Sequence, residues 1–267
     1  MKFQLNTTKD FTESDLVVLP VFKSGDELKY SSNWNKELKT FFSELKIAKC
    51  FKANSGETVL FNSIEGHNLM ALGLGEKKSF KAENLRREMA KLTSLYQSKV
   101  TSFTINIDAI KTGGIHASVN AIIEGMELAT YKYDKYLSKK SKSTLKTVHL
   151  DTKEKGASLK KIQAVIDQTL IVTDSIAVAR DLVNSPPNDL HSESYSKLVK
   201  KDVAKIKGVT FKANGKKELQ KMGAGLFLSV NAGSAYEPQM VHLTYTPKKV
   251  TKKTKHIALV GKGLTFD

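Results

Sequence analysis

Short apolar runs and helical periodicities take turns along this chain. Strands alternating with helices imply a largely parallel sheet covered by helices on both faces, an α/β fold. Residues 15–22, Asp-Leu-Val-Val-Leu-Pro-Val-Phe, read as a short, β-branched, buried strand. Further strands are predicted near 57–62, 68–74, 101–108 and 144–150. A helix is predicted over 34–46, with Trp34, Leu38, Phe41, Phe42 and Leu45 on one face. A second is predicted over 82–98. A third opens after Gly113-Gly114, where Ile115, Val119, Ile122, Ile123 and Met126 form one stripe.

Residues 151–160 are polar and contain a glycine, and they mark a domain boundary. The expected organisation is an N-terminal α/β domain over 1–155, a linker helix over 156–185, and the start of a second α/β domain over 186–267. The linker carries Ile162, Val165, Ile166, Thr169, Val172, Ile176, Ala179 and Val183 on one side. Pro186-Pro187 ends it, because proline cannot donate the helical hydrogen bond and restrains the residue before it. Beyond it, helices are predicted at 192–206 and 215–222, and strands at 208–213, 225–231, 239–246 and 256–261. No internal repeat is visible.

The formal net charge is +16, which invites an anionic partner such as nucleic acid. The 43 basic residues include only three arginines, Arg86, Arg87 and Arg180, leaving 40 lysines. Arginine supplies the planar fork suited to phosphate and guanine, whereas lysine is a solvated point charge. The densest runs, 139–142 and 248–255, sit between apolar segments, where solvated loops are expected. This pattern favours a lysine-rich surface over a dedicated nucleic-acid site, with nonspecific, salt-sensitive DNA association as the alternative. The single cysteine, Cys50, excludes a disulfide framework or a thiolate zinc cluster. The N-terminus turns polar at once, and no apolar run approaches the ~18 residues of a membrane span. A cytoplasmic protein is expected.

Generic chemical motifs mostly fail. Gly73-Leu74-Gly75 lacks the third glycine of a dinucleotide loop, and Gly261-Lys262-Gly263 lacks the rest of a phosphate loop. The histidines His67, His116, His149, His191, His242 and His256 show no ligand spacing. The informative stretch is the last. His256-Ile257-Ala258-Leu259-Val260 reads as an apolar strand, followed by Gly261-Lys262-Gly263-Leu264-Thr265-Phe266-Asp267. Residues just past the carboxyl end of a strand in an open parallel sheet are where sites are built. Two glycines allow a tight turn that can present Lys262 and Asp267 to one crevice. On the residues alone, a loop lysine and an ordinary carboxylate remain the alternative.

Val260-Gly261-Lys262-Gly263-Leu264-Thr265-Phe266-Asp267 resembles the first metal-binding motif of the leucyl aminopeptidase family, the cytosol aminopeptidases. Ala179-Arg180-Asp181-Leu182-Val183-Asn184-Ser185-Pro186-Pro187-Asn188 resembles that family's entry into its catalytic domain. The stretch 222–234 resembles the segment that follows. Leu72-Gly73-Leu74-Gly75-Glu76 and residues 122–134 are similar to its N-terminal domain. The resemblance runs from about residue 15 to residue 267 in the family's order.

The resemblance implies a two-metal aminopeptidase that removes N-terminal, preferably apolar, residues from peptides with a free N-terminus. Lys262 would bind one of two divalent ions, zinc or manganese, through a neutral amine, and Asp267 would bridge both. It also implies hexamers assembled through catalytic domains, and DNA binding in some members. The family's other metal carboxylates, its catalytic lysine and its bicarbonate-holding arginine lie beyond this motif and have no matching position here. No catalytic residue is therefore assigned in this chain. The expectation is the N-terminal portion of a longer enzyme, inactive by itself and holding no metal firmly; the alternatives are a DNA-binding protein and a catalytically dead interaction or structural protein.

Overall fold

The computed structural model describes residues 1–7, 14–25, 27–30, 51–64, 67–110, 113–140 and 142–264. The helix expected over 34–46, Cys50 and Asp267 lie outside them. The fold is α/β, as the alternation predicts. The chain divides into two compact units, Met1–Ala179 and Arg180–Asp267.

The first unit is built on one sheet. Its strands are β1 (Lys2–Asn6), β2 (Leu16–Ser24), β3 (Glu27–Lys29), β4 (Thr58–Ile64), β5 (His67–Glu76), β6 (Ser102–Asn106) and β7 (Thr147–Asp151). The order is β1-β7-β6-β2-β5-β4, with β3 beside β2. The central pairs β1–β7, β7–β6, β6–β2 and β2–β5 are parallel, while β4 and β3 pair antiparallel. The helices are α1 (Ala82–Tyr96), α2 (Ile115–Thr130) and α3 (Gly156–Asn184).

Strand β2 shows why both faces are covered. Leu16, Val18 and Phe22 point into one apolar cluster, with Met70, Leu85, Met89, Ile122 and Ile162. Val17, Leu19 and Val21 point into the other, with Phe51, Ala53 and Leu69. A strand buried on both sides has no polar face, so its sequence reads as a continuous apolar run.

Helices α1 and α2 cross closely at Gly125. A Cβ there would lie 2.3 Å from the Arg86 carbonyl oxygen and 3.0 Å from the Met89 Cβ. Beside the crossing, the Arg86 guanidinium bonds Glu124 at 2.6 Å and also Glu83. Gly73, weighed above as part of a nucleotide loop, has a packing role. A Cβ on it would meet the Asn54 carbonyl oxygen at 2.2 Å, and its N–H donates to the Glu57 carbonyl at 2.7 Å.

Two strands escape the sequence reading. The N-terminal stretch taken as polar forms β1, which runs parallel to β7 from Lys2↔Thr147 to Asn6↔Asp151. Its Met1 ammonium pairs with Glu127 of α2 at 2.9 Å, both groups being largely buried. The short β3 closes a hairpin on β2.

Helix α3 is 29 residues, long and apolar enough by composition to cross a membrane. Its Ile162, Ile166, Thr169 and Thr173 are instead buried, with both isoleucines in the core cluster of the first unit. The predicted stripe continues beyond this point, but Val172 and Val183 are exposed.

Candidate functional site

The second unit opens at Arg180, within the last residues of α3, which ends at Asn184. The tandem prolines follow, and the Asp189 and Leu190 amides return to the Pro186 carbonyl at 3.0 and 2.9 Å. Helix α4 (Ser192–Val203) then begins, with the His191 backbone N–H donating to Ser194 Oγ at 2.9 Å. The His191 ring stacks on Tyr236 with centroids 3.7 Å apart. Ser192 Oγ donates to the Glu237 carbonyl at 2.6 Å, and the Glu237 N–H donates to Glu193 at 3.2 Å. These contacts fasten the 234–237 turn to the start of α4.

Strands β8 (Val209–Asn214) and β9 (Met240–Tyr245) pair antiparallel, from Val209↔Tyr245 to Asn214↔Met240. Between them lie α5 (Lys216–Lys221) and α6 (Gly225–Asn231). The strand predicted at 225–231 is therefore corrected to a helix. Periodicity cannot separate a short apolar run of strand from one of helix. A helix satisfies its backbone locally, as in the Leu228 amide's bond to the Ala224 carbonyl at 3.1 Å, whereas a strand needs a neighbour.

The strand predicted at 256–261 is also corrected. Residues 255–264 carry neither helix nor strand. Ile257, Leu259 and Val260 are 83%, 95% and 96% exposed. The run has strand composition, but among the described residues no strand pairs with it. Lys262 lies in this stretch with its surroundings open to solvent. Of the two residues expected to hold metal, one is thus placed and exposed, and Asp267 lies outside the described residues.

Among the described residues no three His, Cys, Asp or Glu side chains come together in a metal-binding group. Catalytic zinc sites use about three protein ligands per ion. One lysine amine falls well short of that, so the described residues do not by themselves fit a pair of divalent ions.

A polar corner in the first unit was not singled out from the sequence. Asp151, 5% exposed at the end of β7, accepts from Asn6 Nδ2 at 3.0 Å. Its carboxyl is pushed up to about 6, first by burial, against the Asn6 hydrogen bond and with help from the charge of Asp108. Asp108 in turn accepts from Thr152 Oγ1 and the Lys153 N–H, both at 2.8 Å. The available signal was that Asn6 and Asp151 each terminate an alternating strand. Nearby, a groove of about 700 Å³ runs beside β1, lined by Phe3, Leu5, His149, Lys160 and Gln163 among others. Burial there lowers the pKa of His149.

Residues 18–140 match the cytosol aminopeptidase family's N-terminal domain, and residues 177–267 match its catalytic domain. A probable cytosol aminopeptidase of Corynebacterium diphtheriae is 33% identical over 99% of this chain and 51% of its own length. Among solved structures, a mutant of tomato leucine aminopeptidase superposes with a TM-score of 0.78 at 18% identity. That match covers 95% of this chain and 52% of the other. The bottromycin maturation enzyme BotP in complex with Mn gives 0.66 at 21%, covering 88% and 46%. The chain spans about half the length of the curated relatives it matches. With both domain types matched in order, and a fold shared with a leucine aminopeptidase, the chain belongs to the cytosol aminopeptidase family.

Proposed function

We propose that this chain supplies the N-terminal domain and the first catalytic segment of a metal-dependent leucyl aminopeptidase. The observation carrying the reading is the motif Val260–Asp267, which falls inside the region matched by the family's catalytic domain. The organisation proposed is an N-terminal domain to about residue 155, a linker helix to 185, and catalytic sequence beyond.

In this reading Lys262 and Asp267 would help to hold two divalent ions, zinc or manganese, and the substrate is a peptide with a free, preferably apolar, N-terminal residue. The manganese held by BotP supports the choice of metals. When bound, such ions polarise the scissile carbonyl and activate water. For its part, Lys262 would ligate through its amine nitrogen, with its proton released on metal binding. The complete enzyme is proposed to be cytoplasmic and hexameric.

The 267-residue chain alone is inactive in this reading, because the donors among its described residues are too few. Leucine release from a leucyl peptide, with added Mn²⁺ or Zn²⁺, tests this. Metal-stimulated turnover by the purified chain would overturn the inactivity, and Lys262→Ala separates true turnover from contamination.

A second reading, salt-sensitive DNA association, is favoured by the exposed lysines Lys248, Lys249, Lys252, Lys253 and Lys255. Fluorescence anisotropy with duplex DNA across a salt series checks it, and binding indifferent to salt would count against it.

A further inference from the structure

Strand β1 lies at an edge of the seven-stranded sheet, and among the described residues β7 is its neighbour. Its Lys2 N–H donates to the Lys146 carbonyl at 2.9 Å, and its Asn6 carbonyl accepts from the Thr152 N–H at 2.9 Å. Backbone groups of successive strand residues point to alternate sides. Lys2, Gln4 and Asn6 therefore face β7, while Phe3 and Leu5 aim their N–H and C=O groups outward. Edge strands are commonly guarded by proline, a bulge, charge or a covering element. β1 has no proline, pairs with β7 in unbroken register, and carries one charged side chain, Lys2, at its start.

The outward side of β1 opens into the groove of about 700 Å³ described above, a volume in the ~300–1,000 Å³ range of ligand sites. The strand register sets Gln4 beside His149 on one face of the sheet. The side chains of Phe3 and Leu5 lie on the other face, in the cluster that includes Ile162 of α3. Leu159 and Lys160 of α3 extend that second face into a wall. The groove thus follows the line that a further strand would take.

We propose that this groove takes an extended acidic peptide segment of another protein, added to the sheet as a strand beside β1. Main-chain bonds to Phe3 and Leu5 hold it, and its alternate side chains meet the α3 wall. Charge selects the occupant. No residue lining the groove carries a carboxylate. Lys160 is exposed on its rim and, among the described residues, has no ion-pair partner. A second copy of this chain fits less well, because two chains of formal charge +16 repel and would bring Lys2 and Lys160 to the same seam. The lining residues fall outside both stretches that match the family, 18–140 and 177–267, so the site owes nothing to the metal motif.

The test titrates the 267-residue chain into the fluorescein-labelled hexapeptide Glu-Val-Glu-Val-Glu-Val and follows anisotropy. Hydrogen–deuterium exchange is read at the Phe3 and Leu5 amides. The expected result is saturable binding in which exchange at these two amides slows at least ~10-fold. The same peptide with every backbone nitrogen methylated keeps its charge and loses its main-chain donors, and it binds at least ~10-fold more weakly. Lys160→Glu also lowers the affinity at least ~10-fold. That side chain is exposed, so the variant keeps the circular dichroism of the parent chain.

Absence of saturable binding would overturn the proposal, as would equal binding of the basic peptide Lys-Val-Lys-Val-Lys-Val. Binding that survives methylation, or that leaves exchange at Phe3 and Leu5 unchanged, overturns it by assigning the peptide to the solvated lysine surface. A dimer of this chain in light scattering, with the same amides slowed before any peptide is added, overturns it by giving the edge to a second copy.

Discussion

The side-chain amide of Asn6 donates a 3.0 Å hydrogen bond to the Asp151 carboxylate, across a strand pair whose register sets the two residues opposite each other. That bond does not offset the burial of the carboxyl, whose pKa rises from an ordinary 3.8 to about 6. The folded state therefore binds the proton more tightly than the unfolded chain. The resulting stabilisation is complete below about pH 3.8 and is lost as pH rises through about 6. Asp151→Asn removes this dependence while leaving an acceptor for Asn6. Relative to the parent, the variant should gain about 2–3 kcal/mol between about pH 3.5 and about pH 7. Urea denaturation at the two pH values measures it, and a difference that does not change with pH would sink the account.

Asp15 behaves in the opposite sense. Its carboxylate accepts from Thr101 Oγ1 at 2.6 Å, from the Thr101 N–H, and from the Ser102 N–H at 3.2 Å. The Thr101 hydroxyl, first among these, lowers its pKa below the ordinary carboxylate value. Its contribution is present above the unfolded value of about 3.8 and is lost as pH falls through the lower folded value. Asp15→Ala should cost about 1 kcal/mol at neutral pH, the exposure of the site keeping the figure small. Near pH 2 the cost should shrink, and thermal melts at both pH values check this.

Gly125 and Gly225 both lie in helices but should respond in opposite ways to alanine. At Gly125 the new Cβ would meet the Arg86 carbonyl oxygen at 2.3 Å, whereas at Gly225 nothing lies within 4 Å. Gly125→Ala should therefore destabilise the chain by about 1–3 kcal/mol, the overpacking exceeding the gain in helix propensity. Gly225→Ala should be neutral or mildly stabilising. Denaturation midpoints of the two variants, measured side by side, decide between packing and propensity.

In the complete enzyme of the proposed reading, Lys262→Ala should lower metal-dependent leucine release at least ~100-fold. Residues that merely orient a metal ligand cost 10–100-fold when lost, and a direct ligand should cost no less. Retained turnover would remove Lys262 from the site.

The alternation that gives the α/β fold was legible because most strands and helices of the first unit are fixed by burial against one another. β2 is apolar on both parities, and α2 carries a single buried stripe through Val119, Ile122, Ile123 and Met126. Reading the N-terminus as polar overlooks the period-two alternation of Phe3 and Leu5 with Lys2, Gln4 and Asn6. The segments misread at 225–231 and 256–261 share another cause. Both are short apolar runs whose state depends on a neighbour, and their own residues do not say whether that neighbour is there. Lys262 was legible by its motif, because spacing and glycines travel with the sequence. The surroundings that would make its amine a ligand are a property of packed neighbours and could not be read from the residues alone.

The pairing of β1 with β7 also sets a timetable. Asn6 and Asp151 are 145 residues apart. At ribosomal speeds of about 5–20 residues per second, the first strand waits roughly 7–30 s for its neighbour to be made. During that interval Phe3 and Leu5 have no sheet to join, and the Met1 ammonium depends on α2 alone for its counter-charge. The earliest-made strand of the sheet is thus among the last to be secured.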